Sequence, residues 1–116
     1  MSREFLDSID DALDAIQKAR SFTAGMTFRT FSRDTKTVWA TLRAIEVIGE
    51  AAKNVPASIR RRYPQIAWAD VIAMRNKLAH EYFGVDLRTV WATVRQDLPP
   101  LERQFARIRA DHAEKP

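Results

Sequence analysis

Apolar residues recur at helical spacing through most of this chain. The first segment spaces its large apolar residues at intervals of 4, 4 and 3, namely Phe5, Ile9, Leu13 and Ile16. These intervals place them on one face of a helix. A second helix is predicted over 32–53, with Gly49 inside it, where the missing side chain would allow another backbone to approach closely. No segment alternates apolar and polar residues for long enough to predict a strand.

The second half of the chain predicts three more helices. A short one spans 56–62 between two prolines, a third main helix spans about 68–82, and Asp86 can cap the last helix. The apolar positions of that last helix step by three, one or four residues: Leu87, Val90, Trp91, Val94, Leu98, Leu101, Phe105 and Ile108. Their phase continues across Pro99–Pro100, which predicts a kink there and not a reversal. Residues 21–30 lack a clear period and are predicted to be a connector.

Together these patterns predict an all-α fold, an antiparallel bundle of four main helices plus one short helix. A chain of 116 residues has the length of one domain. We therefore expect a single helical domain over 1–116, with a polar tail from about residue 111.

The amino-acid composition excludes several kinds of catalytic and metal site. The chain has 19 Lys and Arg against 15 Asp and Glu, no Cys and 2 His. Thiolate catalysis, disulfides and cysteine zinc sites are excluded, and a multi-histidine metal centre is disfavoured. Apolar runs fall short of the roughly 18 residues of a membrane span, and the acidic start lacks a signal-peptide core, so we expect a cytoplasmic protein without membrane contact. Arg60, Arg61 and Arg62 form a basic cluster that is typical either of phosphate contact or of a solvated turn.

Polar and ionisable residues concentrate near the end of the third main helix. Arg75 and His80 are five residues apart, about 140° around a helix axis. Asn76 stands four residues before His80 and could bond to it, whereas the same spacing of Lys77 and Glu81 is typical of a surface ion pair. A helix C-terminus favours the imidazolium form, which suits His80 to acid–base chemistry. On these residues alone, the pattern is more typical of a His80 that only caps the helix and of an Arg75 that is a surface or interface residue.

Arg75 and His80 form an R-x4-H motif that, with Asn76 and Tyr82, resembles the HepT-like branch of the HEPN superfamily. Further segments resemble the family pattern in order along residues 5–108: Leu6-Asp7-x-Ile9, Ile48-Gly49-Glu50-Ala51, Pro64-x-Ile66-x-Trp68, Met74-Arg75-Asn76, Tyr82-Phe83-Gly84-Val85-Asp86, Trp91 and Asp97-Leu98-Pro99. The chain departs from the pattern at Ala67 and Pro100, outside the motif.

The resemblance implies a HEPN-like fold and a metal-independent endoribonuclease that acts as the toxin of a toxin–antitoxin pair. It implies a homodimer, or a higher oligomer, whose cleft holds both copies of the motif. His80 would be the general acid or base, Arg75 would stabilise the phosphate and Asn76 would support them. Lys77 and the cluster over 60–62 are weaker candidates for RNA binding. No metal or cofactor of the chain's own is implied.

The same resemblance implies a control mechanism and a partner. A separate MntA-type nucleotidyltransferase antitoxin would transfer AMP from ATP to Tyr82, and ATP and Mg²⁺ would enter only through that partner. The added group would exclude RNA by bulk and negative charge. Two alternatives stay open. One is a non-catalytic HEPN module that binds a nucleotide or the nucleotidyltransferase. The other is a DNA-binding helix-turn-helix that uses Arg60–Arg62, although the helix after Pro64 offers few base-reading groups.

Overall fold

A computed structural model describes residues 4–80 and 86–113, and at residue 4 and over 76–80 it describes the backbone. The described chain is helical and contains no strand, which confirms the all-α prediction. Its segments are α1 (Glu4–Thr23), α2 (Phe28–Arg33), α3 (Thr35–Lys53), α4 (Ala57–Arg60), α5 (Trp68–His80), α6 (Leu87–Ala92), a π-helical turn (Thr93–Asp97) and α7 (Leu98–Asp111). None of the described helices combines the length and apolar character needed to cross a membrane.

α1 and α3 form the central pair of the bundle, with α5 packed on α3 and α7 packed on α1. Two ion pairs show that α1 and α7 run antiparallel, since Asp10 pairs with Arg109 and Arg20 pairs with Glu102. The apolar faces predicted for the helices meet between these four elements. The largest side chains with almost no exposure are Phe31, Phe105, Ile9, Ile16, Ile45, Ile48, Leu98 and Ile108.

The structure corrects the prediction between the first two main helices. The expected connector over 21–30 is wrong at both ends, because α1 and α2 extend into it and turn at Gly25, whose φ of +75° favours glycine. The single helix expected over 32–53 is also wrong. Asp34 is extended and its Oδ1 accepts the Thr37 N–H at 3.0 Å, so the chain breaks there and a capped α3 begins. α2 is therefore a second short helix in the bundle.

The last predicted helix is divided by a π-helical turn. Its expected cap is present, since Asp86 Oδ1 accepts the Arg88 N–H at 2.9 Å. Pro99 and Pro100 stand in the first turn of α7 and cannot donate backbone hydrogen bonds. The carbonyls four residues before each proline fall inside Thr93–Asp97, so the wider turn lies where α-helical bonding is interrupted. The kink expected at the prolines stays a prediction.

Candidate active site

The start of α5 is fixed by aromatic packing. The Trp68 ring stacks on Phe105 of α7, with centroids 5.6 Å apart. Its indole N–H donates to the Tyr63 carbonyl at 3.1 Å, so the large apolar side chain is buried with its polar atom satisfied. Val71, one turn further along, is buried. These contacts orient the helix that carries the motif.

Gly49 sets the distance between α3 and α5 at Arg75. A Cβ added to Gly49 would lie 2.5 Å from the Arg75 Cβ, which is closer than packed atoms allow, and 3.2 Å from the Val71 carbonyl oxygen, which is a tight contact. The close approach of a second backbone, predicted at Gly49, is thus confirmed. The approaching backbone is that of α5 at Arg75. A glycine is required here because any other residue would push α5 away from α3.

The Arg75 guanidinium is held by a carboxylate from α3. Its Nε–H donates to Glu50 Oε1, with 3.4 Å between the heavy atoms. The Arg75 side chain is 33% exposed and that of Glu50 is 46% exposed, so the pair lies at the surface and remains accessible to solvent. The site therefore presents a cation, fixed at one edge, to any anion that approaches α5.

The other motif residues are placed by the backbone of α5. Asn76, Lys77 and His80 lie on the same continuous helix as Arg75. The five-residue spacing of Arg75 and His80 puts their Cα positions about 140° apart around the axis and about 7.5 Å apart along it. One helix therefore does not direct Arg75 and His80 to the same point. Tyr82, Glu81 and the predicted end of this helix lie outside the described residues.

The basic cluster lies at the opposite end of α5 from the motif. Tyr63, which follows the cluster, contacts Trp68, whereas His80 is about 18 Å further along the helix. Arg60 Nε donates to the Val55 carbonyl at 3.0 Å and is partly buried. Arg62 donates to His112 Nε2 at 3.4 Å, while Arg61 is exposed. Within one protomer the structure does not bring this cluster to Arg75. Two of the three arginines of the cluster form hydrogen bonds to other residues of the same protomer.

Glu50, the partner of Arg75, is a site residue that the sequence analysis did not identify. It stands in the Ile48–Ala51 segment that resembles the family, but nothing in that segment alone identifies its partner. The adjacent Gly49 was a signal, because a glycine inside an amphipathic helix indicates close contact with a second helix. The residue next to such a glycine is then a candidate to bind a side chain of that second helix. Over the described ranges, no three His, Asp or Glu side chains are grouped so that they could bind a metal ion.

Comparison with known proteins places the chain among related sequences. The sequence model of the family described as "Ribonuclease HepT-like" matches residues 12–108. A probable ribonuclease HepT of Thermococcus cleftensis is 43% identical over 109 residues, covering 94% of this chain and 99% of that protein. A candidate RNase of Methanocaldococcus jannaschii is 39% identical over 105 residues, covering 90% of each protein. A candidate RNase of Caldanaerobacter subterraneus is 40% identical over 84 residues, covering 72% of this chain and 75% of that protein. No solved structure gives a significant match.

Proposed function

The chain belongs to the ribonuclease HepT-like family. We propose that it is an endoribonuclease that uses residues of α5 to cleave RNA without a metal ion. The observation that carries this proposal is the position of Arg75. Its side chain stays one-third exposed, while Glu50 accepts from its Nε and Gly49 packs against its Cβ, on the helix that continues to His80. A guanidinium that is fixed and accessible is well suited to bind a phosphate.

The chemistry uses the nucleophile that RNA itself carries. His80 as general base accepts the proton of the 2′-hydroxyl while the 2′-oxygen forms a bond to phosphorus. Charge then develops on the phosphoryl oxygens, and the Arg75 guanidinium stabilises it without changing its own protonation. The bond from phosphorus to the 5′-oxygen breaks, and the leaving oxygen takes up a proton from an imidazolium. The products are a 2′,3′-cyclic phosphate and a 5′-hydroxyl.

Two supporting residues follow from the register of α5. Asn76 precedes His80 by four residues, the spacing at which an amide can hydrogen-bond an imidazole and orient it. Lys77 is a cation on the same helix and is a weaker candidate for RNA contact. The exposed Arg61 is the member of the 60–62 cluster best suited to that role, because Arg60 and Arg62 contact the chain itself.

A homodimer completes the site in this proposal. Arg75 and His80 diverge by about 140° on one helix, so a two-fold axis beside α5 would bring the arginine of one protomer toward the histidine of the other. Both copies of the motif would then line one cleft. The protein would act as the toxin of a toxin–antitoxin pair in the cytoplasm, with a separate nucleotidyltransferase as its antitoxin.

Control would operate through Tyr82. The Tyr82 oxygen attacks the α-phosphorus of ATP, pyrophosphate leaves, and the phenol loses its proton. The other tyrosine is a poor acceptor, because Tyr63 is 5% exposed and its hydroxyl donates to Asp111 Oδ2 at 2.8 Å. Burial, and then the Asp111 carboxylate, raise the pKa of Tyr63, which disfavours the nucleophilic phenolate further. Of the chain's 2 tyrosines, we therefore propose Tyr82 as the acceptor.

Product chemistry tests the cleavage proposal. A 5′-labelled single-stranded RNA incubated with the protein in excess chelator is expected to yield fragments that end in 2′,3′-cyclic phosphate. The same oligonucleotide with one 2′-deoxy residue at a mapped cleavage site should resist cleavage at that bond only. Cleavage of the deoxy bond would show that the 2′-hydroxyl is not the nucleophile. Binding of RNA without cleavage would favour the non-catalytic helical module.

Intact-protein mass spectrometry tests the control proposal. With a nucleotidyltransferase encoded beside this chain, ATP and Mg²⁺, the wild type should gain AMP and lose cleavage activity. Tyr82→Phe should keep its mass, and Tyr63→Phe, the matched control, should gain AMP like the wild type. A mass increase that persists in Tyr82→Phe would place the modification at another residue.

A further inference from the structure

The contact between Glu50 and Arg75 joins two helices that are separated by 25 residues in sequence. It is a partly exposed ion pair, with 33% of the arginine and 46% of the glutamate side chain open to solvent. Water screens such a pair, so it contributes little to stability. A role in holding the guanidinium in one orientation explains its position better than a role in holding the fold together.

The backbone geometry leaves Arg75 little choice of partner on α3. The Gly49 Cα hydrogens face the Arg75 Cβ, at a separation that excludes a side chain at Gly49. The arginine side chain must therefore pass beside Gly49, and the adjacent residue on α3 is Glu50. The first polar atom along the arginine side chain, Nε, meets that carboxylate.

The neighbouring carboxylate of α3 has a different partner. Glu46 stands one turn before Glu50 and forms an ion pair with Arg43 within the same helix. Two glutamates at the same helical phase are thus used differently, one along α3 and the other across to α5. This contrast provides a matched control, since removing either carboxylate changes the charge of α3 by the same amount.

We propose that Glu50 is a positioning residue for Arg75, and this inference rests on the proposed function of Arg75 in holding the RNA phosphate. A guanidinium can bind two oxygens through its Nε and Nη edge or through its Nη1 and Nη2 edge. Glu50 accepts the Nε–H and so fixes the plane of the guanidinium. A phosphate then meets a guanidinium whose orientation is already set.

Kinetics of three variants test the proposal. Glu50→Ala releases Nε, so kcat for RNA cleavage should fall by about 10- to 100-fold with a smaller change in KM, as expected when a group is misoriented at the transition state. Glu50→Gln keeps an oxygen that accepts the Nε–H and should retain kcat within about threefold of the wild type. Glu46→Ala should behave as the wild type. If Glu50→Gln is as slow as Glu50→Ala, charge and not orientation is the contribution of Glu50, and the proposal is overturned.

A spectroscopic measurement reports on the contact without relying on activity. The Arg75 Nε–H signal in a ¹H–¹⁵N spectrum is assigned by its loss in Arg75→Lys. In Glu50→Ala this signal should move toward the position of exposed arginines and exchange faster with water, whereas Glu46→Ala and Glu50→Gln should leave it nearly unchanged. An unchanged signal in Glu50→Ala would overturn the proposal even where cleavage is impaired.

The two proposals fail in different ways. If the wild type does not cleave RNA, or if Arg75→Ala cleaves as fast as the wild type, the proposed function is wrong. The Nε–H spectrum would then still show whether Glu50 holds Arg75. If Arg75→Ala is inactive while Glu50→Ala cleaves at the wild-type rate, the proposed function stands and the positioning role is wrong.

Discussion

The start and the middle of α5 are held by different kinds of contact. At its start, Trp68 is 8% exposed, stacks on Phe105 and donates its indole N–H to Tyr63. Near its middle, Arg75 is partly exposed, lies against Gly49 and bonds to a carboxylate of α3. The start contributes buried apolar area to the folded state. The middle contributes a close backbone contact and a solvent-accessible charge.

This difference separates stability from chemistry along a single helix. Burial of aromatic surface stabilises the bundle but leaves no group available to a substrate. A charged group near the surface adds little stability, yet it can meet a phosphate if its orientation is fixed. Variants at the start of α5 should therefore lower stability first, and variants near Arg75 should lower activity first.

The largest effect on stability is expected at Trp68. Trp68→Ala should lower the free energy of unfolding by about 3–5 kcal/mol, because it removes a buried ring and leaves a cavity beside Phe105. That loss is a large part of the roughly 5–15 kcal/mol that stabilises a domain. Urea denaturation followed by circular dichroism measures it. Trp39, which is 53% exposed, provides the matched tryptophan, and equal losses in Trp39→Ala and Trp68→Ala would contradict the contrast.

An intermediate effect is expected at Gly49. Gly49→Ala places a Cβ 2.5 Å from the Arg75 Cβ, so α3 and α5 must separate. Overpacking of this kind costs about 1–3 kcal/mol, and the better helix propensity of alanine offsets about 1 kcal/mol of it. The net loss of stability is therefore modest, whereas RNA cleavage should fall strongly because Arg75 is displaced. Thermal melting and cleavage rates measured on the same preparation separate the two effects, and full activity in Gly49→Ala would show that the close contact is not needed.

The smallest effect is expected at Asp34, the cap of α3. Asp34→Ala should lower the melting temperature by a few degrees, whereas Asp34→Asn should not, because its amide oxygen accepts the same N–H. The Thr37 backbone N–H bound to Asp34 lowers the pKa of that carboxyl below its ordinary value of 3.8. The stabilisation is therefore present at neutral pH and is lost as the pH falls below about 4 toward the pKa of the folded state.

Melting curves at neutral pH and at about pH 3 test this sign. Acidification should lower the melting temperature of the wild type more than that of Asp34→Asn, since the asparagine does not titrate. Equal decreases in the two proteins would show that the Asp34 carboxylate contributes nothing that depends on its charge. RNA cleavage at neutral pH should be the same in both, because the start of α3 is remote in sequence from Gly49.

Periodicity was sufficient to predict the main helices and their buried faces, but it missed the short helix α2. It was not sufficient to find the break at Asp34. Phe31 and Val38 are buried on either side of that break and are seven residues apart, which is two helical turns. The apolar phase therefore continues across an interruption that only the backbone shows. The same continuity conceals the π-helical turn at Thr93–Asp97.

The candidate site was predictable only in part for a similar reason. Arg75 and His80 belong to a local motif, so their spacing is visible along one helix. The partner of Arg75 is Glu50, which is 25 residues away, and no helical period relates the two positions. Their contact depends on the packing of α5 on α3, which Gly49 permits but does not specify. The contact between the two helices thus required the structure.

The most direct test of the central claim is the rate of single-turnover RNA cleavage by the wild type and His80→Ala in excess chelator. The wild type should cleave at its full rate without free metal. His80→Ala should lose about 10²–10⁴-fold in rate, since it lacks the proton-transfer group, while its melting temperature stays close to that of the wild type. Loss of wild-type cleavage on chelation, or a wild-type rate in His80→Ala, would contradict metal-free catalysis by the motif on α5.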